Sequence, residues 1–280
     1  MTHVTLKDEL LDAQLLRAVG TAPYGGADVG ECLATAARVD RTNLTSWHDA
    51  WSSTAERVCA LGEAELAAGR LETARGAFLR ASNYFRTAGV MLMGAPLDER
   101  LRVANVRQTE VFRRGAALLA QPPEILAIPW QGTTLPGYHF RVDSDERPRP
   151  TVVLVGGYDG TSEELYFLNG RAALARGYNV LAFDGPGQGA ALLQQHLVLR
   201  PDYETVVAAV VDYLGGRPDT DVNRIGLIGL SLGAHLAPRA ASGERRAASG
   251  GWRRASPTAV PTTCSLCPRA HSGTAGVRAA

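Results

Sequence analysis

About the first 120 residues carry apolar side chains at steps of three and four, the period of an amphipathic helix. Two segments show this period most clearly, residues 55–69 and residues 71–88. Gly69 separates them, so we predict two helices that pack as an antiparallel hairpin. A stacked-repeat scaffold needs about three such units, and the sequence shows a single one. We therefore predict that residues 1–121 form an all-helical domain that belongs to a larger structure, and a repeat scaffold is the less favoured alternative.

The period of the pattern changes after Pro122 from helical to extended. Two strand-like runs form a predicted hairpin, and three uninterrupted apolar runs then alternate with helical patterns. The hairpin strands are Ile125–Trp130 and Gly137–Val142, the apolar runs are Thr151–Val155, Asn179–Phe183 and Arg224–Leu230, and the helices lie near 162–176 and 202–214. Apolar runs flanked by helices are typical of parallel strands that are buried on both faces. Residues 122–244 are therefore predicted to form an α/β domain.

The motif in this α/β region that can carry chemistry is Gly229-Leu-Ser231-Leu-Gly233. It ends a predicted buried strand and opens a helix, which is the context of a nucleophile elbow. So sharp a turn forces its central residue into strained backbone geometry and leaves room only for hydrogen two residues to either side. The helix N-terminus behind the serine offers unpaired N–H groups where an oxyanion forms. We predict that Ser231 is a nucleophile; the alternative is an ordinary strand-to-helix turn.

A second glycine-rich turn, Gly156-Gly157-Tyr158-Asp159-Gly160, follows the first of the three apolar runs. A pair of glycines lets the backbone approach a ligand closely. The N–H groups of Tyr158 and Leu232 are therefore candidate oxyanion donors. The alternative is a glycine turn without a chemical role.

A third turn, residues 183–190, fits the relaxed dinucleotide-binding fingerprint with Gly185-x-Gly187-x-x-Ala190. However, Pro186 contributes no N–H to a phosphate, and the turn does not follow the first strand of the α/β region. We predict that this turn is structural, and nucleotide binding is the less favoured alternative.

Charge and composition exclude several other classes of function. The 29 lysines and arginines nearly balance the 28 acidic residues, so there is no basic surface for nucleic acid. No segment approaches the roughly 18 consecutive apolar residues of a membrane span, and no signal peptide is evident. The four cysteines, Cys32, Cys59, Cys264 and Cys267, suit neither a disulfide scaffold nor a zinc site. We expect a soluble cytoplasmic protein without a metal or cofactor.

Four motifs in a fixed order carry a resemblance that covers about residues 45–244. They are Gly156-Gly-Tyr-Asp-Gly-Thr-Ser-Glu-Glu164, Phe183-Asp-Gly-Pro-Gly-Gln-Gly189, Arg200-Pro-Asp-Tyr-Glu204 and Gly229-Leu-Ser-Leu-Gly233. Together they resemble the branch of the α/β-hydrolase superfamily with a helical N-terminal lid domain, the dihydropseudooxynicotine hydrolase-like and esterase-like proteins. The resemblance implies that the helices cover the active site and help to form a homodimer.

The same resemblance implies roles for individual residues. Ser231 is the implied nucleophile, and the N–H groups of Tyr158 and Leu232 are the implied oxyanion hole. Asp159 falls where a member of the family has an active-site glutamate, which makes it a candidate active-site acid. No cofactor is implied.

The residues after Ser231 depart from the pattern of this family. Its members supply an Asp or Glu and then a His after the serine, whereas no aspartate follows Ser231 here. The only later carboxylate is Glu244, and the later histidines are His235 and His271. We expect His235 to be a surface or packing residue, and we do not assign His271 as the base.

From residue 245 the sequence loses its periodicity, and every charged residue is an arginine. Reading GC-rich DNA in a shifted frame produces this composition, so we interpret residues 245–280 as an irregular basic tail after a frameshift. The alternative is a natural basic tail. On either interpretation, the predicted fold is α/β, an incomplete α/β-hydrolase parallel sheet preceded by an all-helical N-terminal domain.

The sequence therefore predicts a serine hydrolase that cleaves a small ester or related carbonyl compound through an acyl-enzyme. We expect its activity to be impaired, because the Asp and His of the triad are missing from this truncated pattern. The alternative is a non-catalytic helical interaction module on a degenerate hydrolase remnant. The expected partners are a small-molecule substrate and a second copy of the chain, with neither nucleic acid nor membrane.

Overall fold

A computed structural model describes residues 6, 8–40 and 43–247, and the first part of this chain is helical. The helices are α1 Glu9–Val19, α2 Val29–Ala36, α3 Leu44–Ala67, α4 Leu71–Gly89 and α5 Glu99–Ala116. The side chains that cap α1, α2, α3 and α5 are Asp8, Asp28, Asn43 and Asp98. Each cap accepts a hydrogen bond from an N–H group that has no partner within its helix. None of the helices in the described part of the chain is long and apolar enough to cross a lipid bilayer.

The predicted helical hairpin is present as α3 and α4. Gly69 lies between the two helices with a φ of +74°, a left-handed conformation that glycine adopts without steric cost. The fully buried Trp51 of α3 packs 5.6 Å from the Tyr84 ring of α4. These side chains belong to a hydrophobic cluster that α1 to α5 build among themselves. The helical part therefore has a core of its own.

Residues 124–229 build a five-stranded sheet in the order β1-β2-β4-β3-β5. The strands are β1 Glu124–Trp130, β2 Thr133–Phe140, β3 Arg149–Val155, β4 Asn179–Phe183 and β5 Thr220–Gly229. β1 and β2 form the predicted antiparallel hairpin, and β3 pairs in parallel with both β4 and β5. β2 pairs antiparallel with β4, so the sheet is mixed. The predicted α/β class behind an all-helical N-terminal part is confirmed.

β2 and β5 each begin four residues before the predicted start, whereas β1 and β3 begin one and two residues before it. β2 begins at Thr133, because the whole segment pairs with β1. β5 begins at Thr220, which pairs with Arg149 across an irregularity before the regular register starts at Ile225. Polar side chains at Asp221 and Asn223 hide this part of β5 from a prediction based on hydrophobicity.

The connections between strands also differ from the prediction in detail. The helix predicted over 162–176 consists of α6 Ser162–Leu165, a π-helical turn Tyr166–Gly170 and α7 Arg171–Leu174. The remaining helices are α8 Gly189–Leu193, α9 Glu204–Gly215 and α10 Gly233–Ala247. Residues 245–247 are therefore helical, although sequence analysis placed the start of an irregular tail at residue 245. Backbone hydrogen bonds set the end of a helix, and the spacing of apolar residues does not reveal them. The rest of the predicted tail, residues 248–280 with Cys264, Cys267 and His271, lies outside the described residues.

The two faces of the sheet are covered by different parts of the chain. Because side chains alternate along a strand, Val153 and Val155 of β3 face α9 and α10. Val152 and Leu154 of the same strand belong to the cluster on the opposite face, which includes Phe112 of α5. The helical part therefore packs on the face of the sheet opposite α9 and α10.

Phe112 joins the helical part to the sheet, and its removal tests this contact. Its ring is fully buried and lies 5.0 Å from the Tyr138 ring and 5.6 Å from the Tyr166 ring. We expect Phe112→Ala to lower the free energy of unfolding by about 3–5 kcal/mol, because it removes a buried ring and leaves a cavity. Urea unfolding measures this change. The control is Val103→Ala on the exposed side of α5, for which we expect a change below about 0.5 kcal/mol. Equal effects of the two substitutions would contradict this view of the interface.

Candidate active site

Ser231 lies in a tight turn between β5 and α10. Its φ is +53°, in the left-handed region that residues with a side chain rarely adopt. The Leu230 N–H still donates to the Val155 carbonyl oxygen at 3.0 Å, and the Gly233 N–H donates to the Leu230 carbonyl oxygen at 2.8 Å. Ser231 is exposed at the tip of this turn. The strand–turn–helix context that the sequence predicted is therefore present.

Three glycines let the backbone segments around Ser231 touch one another. An added Cβ at Gly229 would overlap the Gly233 carbonyl oxygen, and one at Gly233 would overlap the Val155 carbonyl oxygen. At Gly157, an added Cβ would lie 2.9 Å from the Ser231 Cβ and 3.4 Å from its Oγ. The second glycine turn therefore lies directly beside the serine.

Two backbone N–H groups next to these contacts are unused. Within the described residues, neither the Tyr158 N–H nor the Leu232 N–H donates a hydrogen bond. Leu232 directly follows Ser231, and Tyr158 directly follows Gly157. Unpaired N–H groups beside a nucleophile are the donors that an oxyanion hole requires.

The third glycine turn supports the second one through Gln188. The buried Gln188 Nε2 donates to the carbonyl oxygens of Gly156 at 2.6 Å and Gly157 at 3.2 Å. Its Oε1 accepts hydrogen bonds from the Gly185 N–H at 3.2 Å and the Tyr203 hydroxyl at 2.7 Å. Sequence analysis missed this support, because a glutamine in a glycine-rich turn carries no signal of the backbone it contacts.

Hydrogen bonds within the third turn also explain why it does not suit a nucleotide phosphate. The Gly187 N–H donates to the Leu197 carbonyl oxygen at 2.7 Å, and the Ala190 N–H donates to the Asp184 carboxylate at 2.9 Å. A phosphate at such a turn needs free N–H groups. These donors are already used, which favours the structural interpretation.

Asp159 lies in a cluster of charges with Arg17, Arg86 and Glu164, which we call the ion cluster. Its Oδ2 lies 2.7 Å from Arg17 Nη1 and 3.5 Å from Arg86 Nη2. Burial opposes ionisation of Asp159, but the guanidinium groups of Arg86 and Arg17 outweigh it and lower the pKa. The candidate acid is therefore an ionised carboxylate near neutral pH. Arg17 and Arg86 were missed, because they lie in helical patterns far away in sequence and have no motif of their own. Glu164 ends the motif that contains Asp159, but sequence analysis gave it no role.

A cleft separates the helical part from the second glycine turn. Much of its lining is apolar and comes from α4, α5, α8 and the turn after α4: Phe85, Val90, Met93, Leu101, Ala104, Leu192 and Leu193. Its polar lining residues are Arg86, Asn105, Gln108, Tyr158, Asp159 and Thr161. Ser231 does not line the cleft, but Tyr158 does. The cleft therefore reaches the turn that contacts the serine.

The described residues contain no hydrogen-bond partner for the Ser231 hydroxyl. His235, in the first turn of α10, is exposed, as expected for a surface residue. His271 lies outside the described residues.

Comparison with known protein families identifies the family of this chain. The FrsA-like esterase family matches residues 46–248, which is more than half of the chain. The chain belongs to the FrsA-like esterase family. The matched range contains most of α3, α4 to α10, all three glycine turns and the whole sheet, so the resemblance carried by the four motifs is confirmed.

Named relatives of this FrsA-like chain are hydrolases. It is 40% identical over 254 residues to the hydrolase LUC6 of Fusarium sp., a match that covers 87% of this chain and 60% of the relative. It is 38% identical over 250 residues to the 20-hydroxy-prefusarin hydrolase FUS2 of Gibberella moniliformis, covering 85% and 59%. The chain therefore spans about three fifths of the length of these curated relatives.

Solved structures support the same family. The crystal structure of 2,6-dihydroxy-pseudo-oxynicotine hydrolase matches with a TM-score of 0.70 and 28% identity, covering 81% of this chain and 62% of that one. AbyA5 matches with a TM-score of 0.59 and 20% identity, covering 86% and 60%, and shows the fold alone. The FrsA-like chain is thus an α/β-hydrolase with a helical N-terminal region.

Asp184 is a buried carboxyl group that ties the third turn to α6. Its two oxygens accept hydrogen bonds from the Ser162 N–H at 2.6 Å and the Ala190 N–H at 2.9 Å. Complete burial and the neighbouring Glu163 carboxylate raise the pKa of Asp184 to about 8. The folded FrsA-like chain therefore keeps a proton that an aspartate in the unfolded chain, with a pKa of about 3.9, has already released.

This raised pKa makes the effect of Asp184→Asn depend on pH. The contribution of Asp184 to stability is fully present below about pH 4 and is lost as the pH rises towards 8. At pH 5 we expect Asp184→Asn to lower the free energy of unfolding by about 1–3 kcal/mol. The NH₂ group of the asparagine cannot accept a hydrogen bond, so one of the two backbone N–H donors loses its acceptor. The difference from wild type should shrink by up to about 1.4 kcal/mol per pH unit between about pH 4 and 8, because unfolding of the wild-type chain releases the proton of Asp184. Urea unfolding at pH 5, 6.5 and 8 tests this; a difference that grows with pH would contradict it.

Proposed function

We propose that this chain is a serine hydrolase in which the Ser231 hydroxyl attacks a carbonyl carbon. The observation that carries the proposal is the left-handed φ of +53° at an exposed serine that lies against Gly157. A non-glycine residue in this conformation is costly and persists where its surroundings over-determine it. Such strain concentrates at functional sites, and membership of an esterase family supports the same chemistry.

In the proposed reaction, the Ser231 Oγ bonds to the carbonyl carbon of an ester or related compound while its proton passes to a base. The carbonyl oxygen gains negative charge, which the N–H groups of Tyr158 and Leu232 stabilise. The leaving group departs with a proton, and water then hydrolyses the acyl-enzyme. One donor of this kind contributes on the order of 3 kcal/mol to the transition state.

The base for this reaction is the weakest part of the site in this polypeptide. Within the described residues nothing is hydrogen-bonded to the Ser231 hydroxyl, and no aspartate follows Ser231 in the sequence. Loss of triad members lowers turnover by about 10⁶-fold in a serine protease and leaves the contribution of the oxyanion donors. We therefore propose that Ser231 reacts slowly in this polypeptide.

We propose a small, mostly apolar carbonyl compound as the substrate class. The apolar lining of the cleft supports this polarity. The 20-hydroxy-prefusarin and 2,6-dihydroxy-pseudo-oxynicotine in the names of two similar hydrolases are also small organic molecules. In this site Asp159 acts as an ionised carboxylate and not as a proton donor, because the ion cluster lowers its pKa.

A second candidate function is non-catalytic interaction through the helical part, including the expected homodimer. The observation that favours it is a group of exposed apolar side chains on α1 and α2: Leu10, Leu16, Val29 and Leu33. Exposed apolar side chains favour contact with another protein when they form a patch. A dimer in analytical ultracentrifugation, together with an unreactive Ser231, would favour this candidate over the hydrolase.

Covalent labelling tests the proposed nucleophile. We expect a fluorophosphonate probe to label Ser231 over hours, and added imidazole to speed the reaction by acting as an external base. Ser231→Ala should remove the label. Ser242→Ala, which changes an exposed serine within α10, should retain it. Mass spectrometry of the digested protein identifies the labelled residue. An unlabelled Ser231 in the presence of imidazole would overturn the proposal.

The contact between the second glycine turn and Ser231 has its own test. We expect Gly157→Ala to lower the labelling rate constant at least about tenfold, because the new Cβ would lie 2.9 Å from the Ser231 Cβ and displace the neighbouring donor. Gly226→Ala in β5, where an added Cβ meets nothing within 4 Å, is the control and should change the rate less than about twofold. Equal rates for Gly157→Ala and wild type would show that this turn does not affect the serine.

A further inference from the structure

Arg17 of α1 makes three short contacts with the chain that follows Gly157. Its Nε and Nη2 each lie 2.7 Å from a carboxylate oxygen of Glu164, and its Nη1 lies 2.7 Å from Asp159 Oδ2. Burial opposes the charge of Arg17, but the carboxylates of Glu164 and Asp159 outweigh it and raise the pKa of the guanidinium group. A bidentate arginine–carboxylate pair fixes orientation as well as distance. α1 therefore holds two residues of a segment more than 140 positions away in sequence.

Arg86 of α4 completes the ion cluster from the other side. Its side chain is only 3% exposed, with Nη2 3.5 Å from Asp159 and Nε 3.4 Å from Glu164. Its Nη1 has no hydrogen-bond partner within the described residues. The two arginines balance the charge of the two carboxylates, but the Arg86 contacts are longer. Arg17 therefore imposes the tighter geometry, and Arg86 supplies the second balancing charge.

Few other bonds hold the tip of the second glycine turn, residues 158–160. Its backbone hydrogen bond within the described chain is a long one, from the Gly160 N–H to the Gly157 carbonyl oxygen at 3.4 Å. On the side of the preceding residues, Gln188 holds the Gly156 and Gly157 carbonyl oxygens. On the side of the following residues, the Thr161 hydroxyl accepts a hydrogen bond from Gln108 Nε2 at 2.5 Å. Within the tip itself, the short side-chain contact is that of the Asp159 carboxylate with Arg17.

We propose that Arg17 and Arg86 are positioning residues for the reaction at Ser231. By holding the Asp159 carboxylate, they keep the N–H of the preceding Tyr158 aimed at the place where the oxyanion forms. The inference rests on the proposed function of Ser231.

The strict geometry of an oxyanion donor makes this role more specific than a role in stability. Such a donor acts when it lies within about 2.7–3.1 Å of the oxyanion, and a displacement of about 1 Å can cost about 100-fold in rate. Stability alone does not require the ion cluster, because well-packed apolar side chains often replace a buried ion pair without loss. The bidentate geometry at Arg17 instead fixes the direction of the segment that carries the donor.

Labelling kinetics and amide hydrogen exchange of the full chain test the inference. In Arg17→Gln we expect faster exchange within residues 158–160, by about tenfold at the Gly160 amide, whose N–H donates to the Gly157 carbonyl oxygen, because the contact of Arg17 with Asp159 is lost. The maximal labelling rate constant at Ser231 should fall by about tenfold, while the fluorophosphonate concentration that gives half of it stays unchanged. Arg17→Lys keeps the charge but not the bidentate geometry, so its rate should lie between those of Arg17→Gln and wild type.

Arg80→Gln provides a matched control. Arg80 is 23% exposed, compared with 24% for Arg17, and pairs with Glu31 within the helical part. We expect Arg80→Gln to change neither the exchange of residues 158–160 nor the labelling of Ser231. Unchanged exchange and labelling in Arg17→Gln, or equal effects of Arg17→Gln and Arg80→Gln, would overturn the inference.

The two readouts separate this inference from the proposed function. If wild-type Ser231 is not labelled, the proposed nucleophile is wrong, whereas faster exchange in Arg17→Gln would still establish that Arg17 holds the tip. If Ser231 is labelled but the maximal rate constant is the same in wild type and Arg17→Gln, the proposed function stands and the positioning role is wrong.

Discussion

Close backbone contact at Gly157, Gly229 and Gly233 is the constraint on which the candidate site depends. The parallel strands β3 and β5 are neighbours, so their carboxyl ends lie at the same edge of the sheet, where ligands bind in open α/β folds. The turns after these strands can then touch only where no side chain intervenes. This contact leaves Ser231 in a left-handed conformation, exposed and beside two N–H groups that donate no hydrogen bond to any residue that the structure describes. Packing of the sheet therefore maintains a strained turn that the local sequence alone would not favour.

The same sheet decides how the helical part reaches this turn. Phe112 and its aromatic neighbours bind α5 to one face of the sheet, and the buried Glu163 accepts hydrogen bonds from the Thr109 hydroxyl at 3.0 Å and the Tyr138 hydroxyl at 2.8 Å. These contacts bring α4 next to the second glycine turn and leave the cleft between them. The ion cluster lies at the end of this interface. The helices therefore contribute polar contacts at the turn as well as an apolar cover.

Local turns could be predicted from the sequence, whereas contacts between distant segments could not. The spacing of Gly229 and Gly233 around Ser231 is enough to predict a sharp turn. The pattern of apolar residues is enough to predict α4 and β4. The polar start of β5 was missed, because its pairing with β3 is not expressed in hydrophobicity. Arg17 and Glu164 are 147 residues apart, and either would be an ordinary surface residue in its own helical pattern. Gln188 is a further contact that could not be predicted. The motif indicated a turn, but it did not indicate the carbonyl groups to which the Gln188 side chain donates.

The charge balance of the ion cluster also bears on which substrates suit the cleft. Two arginines and two carboxylates leave no net charge, and each Arg17 donor group is already bonded to a carboxylate oxygen. An anionic group bound at Arg17 would have to displace Asp159 or Glu164 and leave a carboxylate without its partner in a mostly buried place, which costs free energy. Within the described residues, Arg86 Nη1 is a donor of the ion cluster without such a partner. A neutral carbonyl compound disturbs none of these pairs and can use the apolar lining of the cleft. Charge balance at Arg17 is therefore compatible with the proposed neutral carbonyl substrate, for which the two proposed N–H donors would bind the charge that develops during attack.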